Sequence, residues 1–420
     1  AVKRYRSPLQ ENRIGSLLVN PGGPGSGGTY LAEYADTTYS EELLRHFDII
    51  GWDPRGTGGS TPTVDCVDDL DRYVALDPSP DDDSEREALR AGAEEFVRGC
   101  NERSGDLLPY MSTNASARDI DSLRQALGEE TISYFGFSYG SELGATWATQ
   151  FPSTVRAAVF DAAVDPTLDY STALIDQAGG FEAVLDRYFD SCNSTKCDFQ
   201  KAGETAEQSF DRIAAAIERS SLPTYDGRVQ AGPGVFQTAV SLSMYGEGWW
   251  SALTSALVAA DDGDGGPLLD LYDQYFGEHR GDETMGNDIE AYFATTCLER
   301  SPQFDPTTVL ELADELKDLA PRLGASWLQE MTICAYWTTP PEPRIPIGPD
   351  AGRHALVIGS TGDAATPLAG GRNMASALGD AAMVVVESND HTSYGQSDCA
   401  TEIIDRFLIE GAPPTKDSNC

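Results

Sequence analysis

The sequence TISYFGFSYGSELG at residues 131–144 constrains the fold more than any other stretch of this chain. Residues 131–135 are a short run rich in β-branched and aromatic side chains, which predicts a buried strand. Residues 136–140 match the pattern G-x-S-x-G, and residues 142–149 predict a helix directly afterwards. A strand, a tight glycine-flanked turn and a helix hold a serine with its hydroxyl exposed. We therefore predict that Ser138 is a nucleophile.

A glycine-rich turn, PGGPGSGG, follows an apolar segment at residues 13–20 that predicts another strand. A phosphate-binding loop would require a G-K-[ST] ending, which this turn lacks. Attack of a serine on a carbonyl instead requires two main-chain N–H donors for the developing oxyanion, and glycine lets the backbone come close. We predict that Gly23 supplies one donor, with Gly22 as the alternative, and that Tyr139 supplies the other.

The general base can be sought among only four histidines. His46 and His354 precede predicted strands and His279 lies in a helix-rich region, whereas His391 follows the last predicted strand, at residues 382–387. In folds with this type of turn the nucleophile, the acid and the histidine follow in that order, on loops beyond strand ends. We therefore predict that His391 is the general base.

Two aspartates satisfy the chain order expected for the acid. Asp363 lies in the turn TGDA after the strand that precedes the His391 strand, and Asp161 follows the strand after the serine helix. We favour Asp363, because a glycine-flanked turn presents a side chain well, whereas Asp161 could instead accept hydrogen bonds from nearby backbone. Asp390 is adjacent to His391 and badly placed to orient its ring.

Strands and helices alternate in two parts of the chain, which predicts a mostly parallel, doubly wound α/β sheet. We assign residues 1–164 and 350–420 to this core. Residues 165–349 are helix-rich with acidic and glycine-containing breaks, and they predict a mainly helical cap or lid over the carboxyl edge of the sheet. In the turn after the third strand, Asp53 and Arg55 predict an ion pair that fixes the turn.

The charge balance excludes several classes of partner. The chain has 68 acidic and 29 basic residues, which gives a net charge of −39. A field of that sign repels nucleic acid and anionic membrane surfaces, and no apolar run approaches the length of a membrane span. We expect a monomer without nucleic-acid partners. The first residues read like the middle of a strand, so we expect that an export signal has been removed.

Eight cysteines indicate an oxidising compartment. None lies in a C-x-x-C pattern, and histidines near them are too scarce for a zinc site, so an even count favours four disulfides. Neighbourhood along the chain favours the pairs Cys66–Cys100, Cys192–Cys197, Cys297–Cys334 and Cys399–Cys420.

Five segments, in this order, resemble the secreted actinobacterial tripeptidyl aminopeptidases, which are α/β-hydrolases related to prolyl aminopeptidases. They are NPGGPG at 20–25, DPRGTGGS at 53–60, GFSYG at 136–140, TGDAATP at 361–367 and DH at 390–391. The resemblance spans nearly the whole chain. It implies an α/β-hydrolase fold with a helical cap, and a secreted serine exopeptidase that releases short peptides, typically tripeptides, from free N-termini.

The resemblance also implies that carboxylates of the cap bind the substrate ammonium. Glu299, in the motif ATTCLE, is the first candidate, and Glu247, in YGEGWW, is the second. A Ser-His-Asp mechanism requires no metal and no organic cofactor. The alternatives are a carboxylesterase or lipase on the same triad, a prolyl aminopeptidase, and a non-catalytic protein on the same fold.

Overall fold

An eight-stranded sheet forms the centre of the computed structural model, which describes the chain except for residues 9, 11, 277–285, 301–304, 380, 415 and 416. The strands are β1 (Val2–Tyr5), β2 (Gly15–Asn20), β3 (Phe47–Trp52), β4 (Ile132–Phe137), β5 (Val155–Asp161), β6 (Ala355–Ser360), β7 (Ala382–Val386) and β8 (Ser418–Asn419). Their spatial order is β1-β3-β2-β4-β5-β6-β7-β8. Only β1 runs antiparallel to its neighbour among the described strands. The predicted mostly parallel α/β sheet is confirmed.

The helices follow in chain order. They are α1 (Thr29–Glu33), α2 (Ala35–Thr38), α3 (Glu41–His46), α4 (Asp71–Val74), α5 (Asp83–Ser104), α6 (Thr113–Leu127), α7 (Tyr139–Gln150), α8 (Tyr170–Thr195), α9 (Ala206–Arg219), α10 (Pro233–Ser243), α11 (Trp250–Asp261), α12 (Gly266–Tyr275), α13 (Asp288–Arg300), α14 (Pro306–Leu319), α15 (Gly324–Ala335), α16 (Leu368–Ala377) and α17 (Asp398–Glu410). None of those in the described part of the chain combines the length and apolar character that a bilayer span requires.

The two faces of the sheet are covered by separate groups of helices. One hydrophobic cluster joins the strands to α6, α7 and α16 around Trp147, and the other joins them to α1, α3 and α17 around Phe407. Strands β2, β3 and β6 are buried along their whole length. Burial on both faces explains why they read as continuous apolar runs rather than as an alternating pattern.

Residues 165–349 contain α8 to α15 and no strand among their described residues, apart from one isolated bridge between Leu222 and Ala231. These helices also pack against a part of the chain that we assigned to the core. Phe96 of α5 lies against Phe293 of α13, with ring centroids 5.4 Å apart, in one buried cluster. The segment that carries α4 and α5 thus packs with the insertion rather than with the sheet, while the domain division itself stays a prediction.

All eight cysteines are paired. The structure joins the four pairs that chain neighbourhood favoured, Cys66–Cys100, Cys192–Cys197, Cys297–Cys334 and Cys399–Cys420. Each bond closes a loop of fewer than 40 residues, with sequence separations between 5 and 37. The bonds therefore brace segments locally rather than linking distant parts of the chain.

The predicted ion pair between Asp53 and Arg55 is wrong. The Asp53 carboxylate accepts main-chain hydrogen bonds from Thr29 and Gly59, both at 2.9 Å. The Arg55 guanidinium lies on α6 instead, 2.7 Å from the Asp119 carboxylate. Because Gly59 of the turn and Thr29 at the start of α1 both donate to Asp53, that carboxylate is satisfied without a cation.

Candidate active site

Ser138 lies in the tight turn between β4 and α7, as its sequence pattern predicts. Its φ and ψ angles are 55° and −124°, and a positive φ is strained for a residue other than glycine. A Cβ atom on Gly136 would lie 2.3 Å from the carbonyl oxygen of Gly140, so only glycine permits this close approach. The Ser138 N–H donates to the main-chain oxygen of Asp161 at 2.9 Å. The side chain is half-buried, at the carboxyl end of β4.

The glycine-rich turn after β2 packs against this serine. A Cβ atom on Gly22 would lie 3.0 Å from the Ser138 Cβ, which shows how closely the two backbones approach. The Gly22 N–H donates to Asn20 Oδ1 at 3.0 Å. Because that donor is engaged, Gly23 is the better candidate for the oxyanion. Tyr139 is the first residue of α7, where main-chain N–H groups have no carbonyl of their own helix to bond.

Asp363 and His391 are in direct contact, although 28 residues separate them. The imidazole Nδ1 of His391 lies 2.9 Å from both carboxylate oxygens of Asp363. The carboxylate also accepts the N–H groups of Ala365 and Thr366 at 2.9 Å and the Thr366 hydroxyl at 2.8 Å. Asp363 is therefore fixed by its own loop and oriented toward the ring of His391.

The charge environment of His391 favours its protonated form. Burial lowers the pKa of the imidazole, but the charge of Asp363, its hydrogen bond and the charge of Asp161 outweigh burial and raise the pKa above its ordinary value. Asp363 would thus stabilise an imidazolium that forms on His391 during a reaction.

Asp161, the other candidate acid, serves a different purpose. Its carboxylate is fully buried and accepts the main-chain N–H groups of Ser393 and Tyr394 at 2.9 to 3.1 Å. Burial raises the pKa of this carboxyl, and the two N–H donors partly oppose that rise. Because its main-chain oxygen holds Ser138, Asp161 ties the serine turn to the loop that carries His391.

Ser138 opens onto a cavity between the core and the insertion. Gly23, Tyr139 and Thr366 line it from the core, and side chains of α8 line it from the insertion. His391 is not among the residues that line it. Within the described part of the chain, no hydrogen bond joins the Ser138 hydroxyl to His391, so that contact belongs to the proposal below.

The cavity has carboxylates on its insertion side. Asp165 is engaged by Thr167 and by Asn373, whose Nδ2 lies 2.6 Å from the carboxylate. Asp176 of α8 is exposed, and its carboxylate forms no hydrogen bond or ion pair with another described residue. Partial burial and the charge of Asp165 raise the pKa of Asp176. A cationic ligand in the cavity would relieve this repulsion.

Glu299 and Glu247, the predicted ammonium ligands, do not line this cavity. Glu299 is buried: its carboxylate accepts the Thr113 N–H at 2.5 Å and lies 3.9 Å from the Arg344 guanidinium. Arg344 also pairs with Glu142 of α7, and burial lowers the pKa of this guanidinium to about 10. Glu142 itself lines the Ser138 cavity, so the network reaches the cavity through this residue.

Glu247 lies at the loop that carries His391. Its Oε1 accepts a hydrogen bond from Asn389 Nδ2 at 2.6 Å, and its main-chain N–H donates to Asp390 Oδ1 at 3.1 Å. The preceding Tyr245 accepts the His391 N–H on its main-chain oxygen at 2.8 Å. The sequence assigned Glu247 to substrate binding, whereas its described contacts are with the core.

Three carboxylates of a kind that can bind a metal ion lie close together at one place in the described chain. Carboxylate oxygens of Asp77, Glu85 and Glu218 lie within 4.8 Å of one another. Burial, together with the charges of Asp77, Asp81 and Glu85, raises the pKa of Glu218 to about 7. The residues that line the Ser138 cavity are a separate set, so the serine chemistry makes no use of this cluster.

Two residues of the site were missed by sequence reasoning. Thr366 anchors the Asp363 carboxylate, and Asn20 engages the Gly22 N–H. The spacing D-x-x-T at 363–366 is a signal that could have identified Thr366, because a carboxylate commonly accepts hydrogen bonds from residues two and three positions later. Asn20 has no comparable signal of its own.

Comparison with known proteins agrees with this geometry. Residues 320–420 match the family described as TAP-like protein. The serine protease Hip1 of Mycobacterium tuberculosis is 30% identical over 100% of this chain and 83% of its own length. Carboxylesterase B of the same organism is 31% identical over 99% of this chain and 81% of its own.

The tripeptidyl aminopeptidase of Streptomyces coelicolor is 28% identical over 98% of this chain and 77% of its own length. These similarities confirm the resemblance that the five sequence segments carry. They agree with the mostly parallel sheet and with a serine in the turn after its fourth strand. The chain therefore belongs to the TAP-like family of α/β-hydrolases and is a serine hydrolase.

Proposed function

We propose that the protein is a secreted serine exopeptidase that releases short peptides, typically tripeptides, from free N-termini of peptides and proteins. Ser138 is the nucleophile, His391 the general base and Asp363 the residue that orients it. The observation that carries the proposal is the contact between His391 Nδ1 and both Asp363 oxygens at 2.9 Å, on the loops after β6 and β7. The serine turn ends β4 at the same edge of the parallel sheet.

In the acylation step, His391 Nε2 takes the proton of the Ser138 hydroxyl as Oγ attacks the carbonyl carbon of the scissile bond. The N–H groups of Gly23 and Tyr139 stabilise the resulting oxyanion. The imidazolium, held by Asp363, then gives its proton to the leaving amine, and an acyl-enzyme forms.

Deacylation reverses these roles. His391 removes a proton from a water molecule as the water oxygen attacks the ester carbonyl, and the released Ser138 oxygen recovers the proton from the imidazolium. The products are the free peptide acid and the unchanged enzyme. The chain's own residues supply every proton transfer in this sequence.

Exopeptidase action requires a site for the free ammonium of the substrate. The resemblance assigns this role to Glu299 and Glu247. Glu299 and Glu247 do not line the cavity at Ser138. Asp165 and Glu142 line it but are engaged by Asn373 and Arg344, whereas Asp176 lines it and has no partner among the described residues. We therefore include Asp176 as the leading candidate, with Glu299 and Glu247 as alternatives.

An extracellular location fits the covalent structure. Four disulfides that account for every cysteine are stable in an oxidising environment and are reduced in most cytosols. The net charge of −39 favours solubility in any compartment and does not itself bear on location.

The experiment that tests this function compares a tripeptide p-nitroanilide with its N-acetylated form. We expect kcat/KM to fall at least about tenfold on acetylation, because one charge-assisted contact is worth about 1.5–3 kcal/mol. Mass spectrometry of a longer peptide should show release of intact tripeptides. Equal turnover of the free and acetylated substrates would contradict exopeptidase action.

A carboxylesterase is the second candidate, because a relative named carboxylesterase B is 31% identical over almost the whole chain. The same triad would cleave an ester of a short acid. A kcat/KM for p-nitrophenyl butyrate well above that for every free-amine tripeptide anilide would favour this second function.

A further inference from the structure

The segment of the insertion between α10 and α11 lies directly on the loop that carries His391. Three hydrogen bonds cross this boundary. The His391 N–H donates to the Tyr245 oxygen at 2.8 Å, the Glu247 N–H donates to Asp390 Oδ1 at 3.1 Å, and Asn389 Nδ2 donates to Glu247 Oε1 at 2.6 Å. The ring of Tyr245 also meets the imidazole of His391 edge to face, with centroids 5.4 Å apart.

The core holds the two ends of this loop but makes no main-chain hydrogen bond to His391 among the described residues. At the near end, the Gly362 N–H donates to the Ser388 oxygen at 2.8 Å. Asp161 accepts the N–H groups of Ser393 and Tyr394, two and three residues beyond His391. At His391 itself the described main-chain hydrogen bond is with the insertion. The described side-chain hydrogen bonds of His391 are with Asp363 and, more weakly, with Thr366 at 3.4 Å. The backbone position of the general base thus depends on the insertion.

Gly246 is the point of closest approach. A Cβ atom there would lie 2.7 Å from Asp390 Oδ1, well inside van der Waals contact. That oxygen accepts the Glu247 N–H, and the other oxygen of Asp390 accepts the Ser388 hydroxyl at 2.8 Å. Because the carboxylate is held on both oxygens, a methyl group at Gly246 would displace the loop rather than one mobile side chain.

Gly248, two residues further on, offers a matched position. A Cβ atom on Gly248 would meet nothing within 4 Å, and its φ is not in the left-handed region. The two glycines therefore lie in the same segment, but only one of them touches the His391 loop.

We propose that residues 245–247 are a positioning element for the general base, so that His391 is aligned for catalysis only while this part of the insertion is seated on the core. The proposal rests on the triad assigned above. Glu247 is then a positioning residue rather than a ligand for the substrate ammonium. A displacement of about 1 Å at a catalytic group can cost on the order of a hundredfold in rate.

The test compares Gly246→Ala with Gly248→Ala, using p-nitrophenyl acetate and a tripeptide p-nitroanilide as substrates. We expect Gly246→Ala to lower kcat about 10- to 100-fold on both substrates, with KM changed less than about threefold. Gly248→Ala should keep the wild-type kcat. Circular dichroism and thermal unfolding of both variants check that each is folded.

A second pair of variants distinguishes a role of Glu247 in positioning His391 from a role in substrate binding. Glu247→Ala removes the acceptor for Asn389, whereas Glu247→Gln keeps an amide oxygen in its place, so Gln should restore most of the kcat that Ala loses. In the pH profile of kcat/KM, the midpoint of the acid limb should shift in Gly246→Ala and not in Gly248→Ala. Only the first substitution displaces His391 and so alters its contact with Asp363.

Each outcome decides between stated alternatives. Equal kcat for the two glycine variants would overturn the proposal, and so would a loss confined to KM of the free-amine substrate, which would return Glu247 to ammonium binding. Failure of the wild-type protein to hydrolyse p-nitrophenyl acetate and to react with a fluorophosphonate would overturn the triad itself, and the positioning role with it. Indifference to N-acetylation alone would contradict exopeptidase action while leaving the positioning result valid.

Discussion

The two sides of the Ser138 cavity are built in different ways. On the core side, Ser138, Asp363 and His391 follow the ends of β4, β6 and β7, and main-chain hydrogen bonds hold their loops. On the insertion side, the exposed Asp176 projects from the long helix α8, away from the buried face of that helix. The core thus supplies the residues for bond cleavage, and their positions are fixed by the register of the sheet. The insertion supplies a wall of the cavity, and the packing of α8 determines which of its residues face the cavity. We expect variants in the core to change kcat, and variants in the wall formed by α8 to change substrate selection.

The largest effect that separates the two sides is expected from Ser138→Ala. Loss of the nucleophile should lower kcat by about 10⁵-fold or more, because the remaining groups cannot form an acyl-enzyme. Fluorophosphonate labelling followed by intact mass spectrometry should show one adduct on the wild type and none on the variant. Labelling that persists in Ser138→Ala would place the nucleophile elsewhere.

The next effect distinguishes the two aspartates of the core. Asp363→Asn should lower kcat by about 10⁴-fold, because the amide no longer stabilises the imidazolium and can select the wrong tautomer. Asp161→Asn should cost about 1–3 kcal/mol of folding stability, since a neutral amide oxygen is a weaker acceptor for the two N–H groups and the amide places an NH₂ donor where the second carboxylate oxygen now accepts the Ser393 N–H. Steady-state kinetics and thermal unfolding of both variants measure the contrast, and the reverse ranking in kcat would make Asp161 the acid.

A smaller effect is expected on the insertion side. Asp176→Asn should lower kcat/KM about 10- to 100-fold on a free-amine tripeptide anilide, mainly through KM, and leave the N-acetylated substrate unchanged. Glu299→Gln is the matched comparison, because Glu299 is buried beside Thr113 and Arg344. It should reduce thermal stability more than substrate selection, and the opposite result would assign the ammonium to Glu299.

The smallest effect is a shift along the pH axis. His391 must be neutral to act as a base, and its pKa is raised mainly by Asp363, so kcat/KM should fall as the pH drops through a midpoint above 6.5. In Asp363→Asn the raising influence of the carboxylate is lost and burial remains, so the residual activity should extend to lower pH. A pH profile of kcat/KM for both proteins measures the two midpoints; a midpoint unchanged by the substitution would contradict the assigned cause.

The contrast between the core and the insertion also explains which parts of the structure could be predicted from the sequence. The period of the hydrophobic pattern located the main strands, with small errors such as a start predicted at residue 13 where β2 begins at Gly15. Once the strands were placed, the G-x-S-x-G pattern was enough to propose Ser138, and chain order was enough to propose His391. The choice between Asp363 and Asp161 depended on turn chemistry, and the contacts with His391 now support Asp363.

The insertion could not be predicted in this way. Glu299 meets Thr113 across 186 residues of sequence, and Glu247 meets Asn389 across 142. A motif around either glutamate carries no information on such long-range contacts. Whether Asp176 faces a cavity depends likewise on how the buried face of α8, at Leu174, Ala178 and Phe181, is rotated against its neighbours. His279 lies outside the described residues.

The short strand β8 has a consequence for handling the protein. It pairs with β7 in parallel, the Cys420 N–H donates to the Val385 oxygen at 2.8 Å, and the bond from Cys420 to Cys399 fastens it to α17. Without that fastening β7 would become a bare sheet edge, which is a template for pairing with other chains. A mild reductant should therefore promote self-association before general unfolding, and it should do so at the strand from which the histidine loop departs.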